Sequence, residues 1–197
     1  MHKRLLFIGV FITILLIATP SGAVLVDLTE EQAQEAIKYG KEKKDADYLE
    51  FFKEWRVDLG DGKGSARVIT EFSKVAFEAK NLPFEYISPG KGDIEKIKEE
   101  LRDRLAFGVA LYGDTVDFAK DCQAFLRYKN KTLRTTEERH TEVAESTRSW
   151  PKSPAYKAIC YYYFDLHDVD PNANVVLEVS LPGRKKVEFP FDLSKMR

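Results

Sequence analysis

The chain has little of what catalytic and metal-binding frameworks are built from. Its 197 residues include two cysteines, three histidines, two methionines and two tryptophans. There is no CxxC pair, and no GxSxG elbow to raise a serine nucleophile. The glycine-rich stretch DLGDGKGSAR ends in Gly64-Ser65 and lacks the GK[ST] of a phosphate loop, so it reads as a turn. Internal repeats, low-complexity tracts and a heptad seam are all missing. With 31 Lys and Arg against 32 Asp and Glu, there is no concentrated basic face of the kind a nucleic-acid partner requires. The one long apolar run, Leu5 to Ala18, is about 14 residues, short of the ~20 needed to span a bilayer.

That run has the anatomy of an export signal. His2, Lys3 and Arg4 precede it, Thr19 and Pro20 break it, and Ser21 and Ala23 place small residues three and one before a cleavage point. Residues 1–23 are therefore read as a signal peptide cleaved after Ala23. No cysteine stands near the junction, so no lipid anchor is expected. The mature chain is expected to be soluble and periplasmic or secreted, with no stable membrane anchor. It retains enough length for one domain with a sizeable core, or one domain plus a helical extension. In an oxidising compartment the pair Cys122 and Cys160 is a candidate disulfide, closing a loop of about 40 residues and contributing ~3–4 kcal/mol. The alternative is two buried thiols, since cysteine packs well as a small apolar group.

Hydrophobic spacing divides the remainder. Residues 24–82 read as a helical region. Thr29 with Gln32 forms a capping box, Ala33, Ala36, Ile37 and Gly40 share a face, and Tyr48, Leu49, Phe51, Phe52 and Trp55 continue it. A short strand at Ala66 to Ile69 and a helix capped by Thr70 follow. Residues 83–104 read as a linker and a helix beginning at Asp93. From Leu105 the period changes to two, with a bulky face of Leu105, Phe107, Val109 and Leu111 and a small face of Ala106, Gly108 and Ala110. Cys122, Ala124, Leu126 and Tyr128 give another strand. The pair Val175–Leu181 and Val187–Leu193 gives a third and fourth, the last assigned to an edge by Pro190. Residues 105–197 are therefore read as a β-sandwich domain. The fold class is α+β, with N-terminal helices packed on a C-terminal antiparallel sandwich of immunoglobulin-like architecture.

The stretch AICYYYFDLHDVD, residues 158–170, is the densest in chemistry-bearing side chains. Cys160, Tyr162 and Phe164 share one face of a strand and Ile159, Tyr161 and Tyr163 the other. Both faces are apolar, which predicts a central strand covered on both sides, in cis or by a partner. Tyr161 and Tyr163, together with Trp150 in a polar loop, are the candidate ligand-binding aromatics. Trp55 is placed in the core. Asp165, His167, Asp168 and Asp170 are candidate metal ligands, with calcium the cofactor in view. Their spacing, however, departs from the calcium-loop pattern, and DVDPNAN equally describes a turn.

The export signal and the stretches RVITEFSKVAFEAK, LAFGVALYGDTVDFAK and LEVSLPGRKKVEFPFDLSKM make the chain resemble small exported bacterial proteins of uncharacterised families. That resemblance implies an architecture and no named activity. The immunoglobulin comparison is itself imperfect: the cysteines are close in sequence, no tryptophan follows Cys122 at the expected distance, and Ala158 stands where a tyrosine corner would fall. The function expected is a non-catalytic binding or interaction module of the bacterial envelope, with an envelope protein or a glycan as ligand. The alternative is an exported enzyme that is metal-assisted or thiol-dependent.

Overall fold

A computed structural model describes residues 27–83 and 88–197. The signal segment, residues 1–23, lies outside the described residues. Among those described, no helix is long and apolar enough to cross a membrane.

Helix α1 (Glu30–Glu42) starts at Thr29, whose Oγ1 accepts the Gln32 amide at 3.2 Å while Gln32 Oε1 accepts the Thr29 amide at 2.9 Å. Acids in the first turn and Lys41 in the last complement the helix dipole. The helical pattern does not run unbroken through Trp55. It stops at Lys43 and resumes as the single turn α2 (Tyr48–Phe51), capped by Asp47. Helix α3 (Glu71–Asn81) is capped by Thr70, as its sequence predicts. Helix α4 (Lys91–Leu101) starts a turn earlier than expected. Asp93 accepts the Gly90 amide from within the first turn and is not itself the cap.

The strands form two antiparallel sheets. The larger has the order β1 (Arg56–Asp58), β2 (Ser65–Ile69), β3 (Arg104–Gly113), β8 (Tyr156–Asp165), β6 (Glu137–Arg139), with β7 (Glu145–Ser146) also paired to β8. The smaller has the order β10 (Lys186–Asp192), β9 (Asn174–Ser180), β4 (Gln123–Tyr128), β5 (Lys131–Arg134). Pro190 does lie on an edge strand, β10. The β1–β2 hairpin turns through Gly60 and Gly64 at φ 93° and 114°, which explains the alternating glycines without any phosphate chemistry.

The sheets pack face to face. Leu105, Phe107, Val109 and Leu111 of β3 and Cys160, Tyr162 and Phe164 of β8 meet Leu126, Val175, Leu177, Val179, Phe189 and Phe191 of the smaller sheet, all at 2 % exposure or less. The Phe107 and Phe191 rings lie 5.3 Å apart across the layer. The helices form a third layer, held partly by chain-terminal contacts. The Arg197 carbonyl accepts from Trp55 Nε1 at 2.5 Å and Thr70 Oγ1 at 2.8 Å, and the Arg197 side chain pairs with Glu35 and Glu54. The fold is thus α+β, with N-terminal helices on an antiparallel sandwich. Strands β1 and β2, from the region read as helical, extend the larger sheet because β2 pairs with β3 along its whole length.

Candidate functional site

The outer face of the larger sheet, turned away from the sandwich core, holds the site. Along β8 that face carries Lys157, Ile159, Tyr161 and Tyr163. Along β3 it carries only Ala106, Gly108, Ala110 and Tyr112. The sequence predicts that both faces of β8 are covered, and the structure covers one face and half of the other. The Tyr163 end lies beneath the helical layer at 4 % exposure, while Ile159 is 39 % exposed. Among the described residues, the helices run out before the strand does.

Two clefts fill the difference. One, about 400 Å³, lies between α3, α4 and β8, with Phe77, Lys74 and Glu100 on the helical side and Tyr161, Tyr163 and Arg139 on the sheet side. The other, about 450 Å³, lies between α2, the β1–β2 hairpin and the small face of β3, with Tyr48, Leu49, Arg56 and Lys157 on its walls. Arg67, Ile159 and Tyr161 line both, so the clefts meet over β2 and β8. Tyr48, Leu49 and Ile159, at 49, 55 and 39 % exposure, are among the few large apolar side chains left in solvent, and all three border this surface.

Strand register sets an ordered row across the floor. Arg56 pairs with Arg67, Arg67 with Gly108, Gly108 with Tyr161 and Tyr161 with Arg139. Paired residues in a sheet point to the same side, so this one row brings three guanidinium groups, a glycine gap and a tyrosine to one face. Both outer arginines are neutralised: Arg56 by Asp58 at 2.8 Å, Arg139 by Glu137 at 2.6 Å. Glu137 also takes Arg104 at 2.8 Å, and the two guanidinium groups flank the Tyr163 ring at 5.2 and 5.5 Å. Tyr163 is thereby fixed as a wall. Arg67 is half-buried and stacks over Phe52 at 4.1 Å, with Tyr48 at 5.9 Å. Its guanidinium has no carboxylate partner among the described residues. At Gly108 the sheet has no side chain and the Tyr161 ring packs beside it, so that an added Cβ would lie 3.4 Å from Tyr161 Cε1.

The remaining predicted residues fall elsewhere. Of the three candidate aromatics, Tyr161 and Tyr163 come together at the clefts, but Trp150 does not join them. It is 56 % exposed in a separate loop, where its Nε1 lies 3.3 Å from Tyr156 Oη. The acidic cluster does not converge. Asp165 accepts the His167 amide and pairs with its ring at 2.9 Å, while Asp170 accepts the Asn172 amide at 2.9 Å. These carboxylates fold back on their own turn, the habit of aspartate in such sequences. Among the described residues no group of three or more His, Cys, Asp or Glu side chains is placed to hold a metal.

The expected Cys122–Cys160 disulfide is not formed, and both cysteines are buried free thiols. They face each other's layer as predicted. Cys122, however, precedes β4 on a short helical turn, and its Sγ donates back to the Phe118 carbonyl at 3.6 Å. Burial pushes the Cys122 thiol up to about 12 and raises Cys160 as well, which disfavours the thiolate of each.

Sequence reasoning missed the polar groups beside those thiols. Glu138 points inward from β6 and accepts from Thr135 Oγ1 at 2.7 Å and from the Ala124 amide at 3.5 Å, closing the crossing from β5 to β6. His140 Nε2 lies 3.3 Å from Glu138 Oε2, and its ring meets Tyr162 edge-on at 5.6 Å. The signal was period-two placement of Glu138 and His140 inside a polar stretch, where neither apolar spacing nor composition marks an inward face.

No family model matches the chain. No curated protein sequence matches it either. Similar solved structures include the archaellum periplasmic stator protein complex FlaF and FlaG from Sulfolobus acidocaldarius, at 10 % identity and a TM-score of 0.32, covering 45 % of this chain and 77 % of that one. Another is the archaellum periplasmic stator protein FlaG from Sulfolobus acidocaldarius, at 10 % identity and a TM-score of 0.28, covering 45 % of this chain and 86 % of that one. A likeness of this degree carries no information on partner or role.

Proposed function

We propose that the protein is an exported, non-catalytic binding module of the cell envelope, and that it holds a segment of a partner protein in the paired clefts on the outer face of its larger sheet. The observation that carries this is the uncovered half of β8. Ile159 lies open and Tyr161 half-buried beside Tyr48 and Leu49, forming an apolar surface bordered by charged residues, the pattern of an interaction site. A peptide fits the place better than a glycan, because the one well-exposed tryptophan is elsewhere.

Panning short random displayed peptides against the protein, expressed from its complete reading frame and purified after export, tests the reading. Peptides rich in Leu, Phe, Trp or Tyr should be selected. Replacing Leu49→Lys or Ile159→Lys should weaken them at least about tenfold, or ~1.4 kcal/mol. Both side chains are exposed, so the fold should survive. Recovery of no binders, or of binders indifferent to both substitutions, would remove the clefts as the binding surface.

A further inference from the structure

We infer that Arg67 is an anion anchor, and that the segment bound in these clefts carries an acidic residue between large apolar ones. This rests on the reading of the clefts as a peptide site and deepens it. Three observations converge on Arg67. It stands where the two clefts meet, so whatever spans both passes over it. It is the central arginine of a cross-strand row in which Arg56 and Arg139 are already paired with Asp58 and Glu137, while its own guanidinium meets no carboxylate among the described residues. Its guanidinium carbon lies over the Phe52 ring at 4.1 Å, and no carboxylate among the described residues takes its N–H groups.

A half-buried guanidinium has given up part of its hydration and gains most from a carboxylate delivered in fork geometry. The stack on Phe52 pre-organises that fork, so less rotamer entropy is lost on binding. Among the described residues, the acids nearby do not compete for it. Asp58 and Glu100 are held by Arg56 and Lys74, and Asp61 and Glu78 stand exposed on the rims, where solvent screens them. Half-buried Lys157, without an ion-pair partner among the described residues, adds a second positive charge to the wall. Apolar side chains lie on either side of Arg67, with Phe77 toward one cleft, Leu49 toward the other, and Tyr161 and Ile159 common to both. A side chain pattern of apolar, acidic, apolar matches that sequence of surfaces.

The test uses the peptides selected above. Asp or Glu should be enriched at one position flanked by large apolar residues. One such peptide and its amide counterpart, with Asp→Asn or Glu→Gln, should be titrated against the native protein and against Arg67→Gln and Arg67→Lys. Arg67→Gln should weaken the acidic peptide about tenfold or more and leave the amide peptide nearly unchanged. The two substitutions would then be coupled, as a direct contact requires. Arg67→Lys should retain part of the affinity, because it keeps the charge and loses the fork. Peptides without acid enrichment that still respond to Leu49→Lys or Ile159→Lys would leave the peptide site standing and overturn the anchor. Equal loss for both peptides in Arg67→Gln would also overturn it, since Arg67 would then only shape the cleft through Phe52. Inorganic sulfate that displaces the acidic peptide at low millimolar concentration would show a free-anion site and would equally overturn a peptide carboxylate as the ligand.

Discussion

Cys122 and Cys160 sit at 1 % and 0 % exposure between the sheets, and removal from water disfavours the thiolate of each. Brief alkylation at pH 8 without reductant should add nothing to the native protein and two groups to the denatured one. Intact mass reads the difference, and a labelled native protein would refute the burial. His167 makes the opposite case, at the surface. The hydrogen bond that the His167 ring donates to Asp165 raises His167 above its ordinary 6.5, with Asp103 at 3.7 Å adding to it, and His167 in turn lowers Asp165 below 3.8. A raised histidine stabilises below its unfolded value and loses that contribution as pH rises through its folded one. A lowered aspartate stabilises above its unfolded value and loses that contribution as pH falls through its folded one. The pair is therefore fully effective between about 3.8 and 6.5. An NMR titration should place His167 above 6.5 in the native chain and nearer to it in Asp165→Asn. An unchanged midpoint would mean that Asp165 does not hold the ring.

At the scale of elements, two glycines are defined by what lies against them. Gly40 is where α1 crosses α3, and a Cβ there would come within 2.0 Å of the Ala76 carbonyl oxygen. That neighbour is backbone, so the helices must separate. Gly40→Ala should lower stability by ~1–3 kcal/mol despite its better helix propensity. Gly92, within α4, is the control. A Cβ meets nothing within 4 Å there, and Gly92→Ala should stabilise by about 0.5–1 kcal/mol. Urea midpoints of the two variants should move in opposite directions, and a stabilised Gly40→Ala would disprove the close crossing. Gly108 illustrates how far such features can be read ahead. The small face of β3 is visible as Ala106, Gly108 and Ala110, and close approach by another element is its natural reading. What approaches Gly108 is the Tyr161 ring from the neighbouring strand, and across the Gly108–Ala110 end the short helix α2 stands off beyond a cleft. Period two gives the face and not its cover.

Across the whole molecule, local chemistry determined the elements. Thr29 and Thr70 cap their helices, alternation picks out the inward residues of β3, β8, β9 and β10, and Pro190 marks an edge, because each depends on neighbours within a few residues. Tertiary structure decided everything that depends on register between distant strands. It gave β1 and β2 to the larger sheet, kept the thiols apart as thiols, and folded the aspartates of 165–170 onto their own turn. It also assembled the row Arg56, Arg67, Gly108, Tyr161, Arg139 from five strands, in which no two members are near one another in sequence except Arg56 and Arg67. A sequence states which residues can face the same way. Only packing, through the area left uncovered once the helices run out, decides which of those faces remains open to a partner.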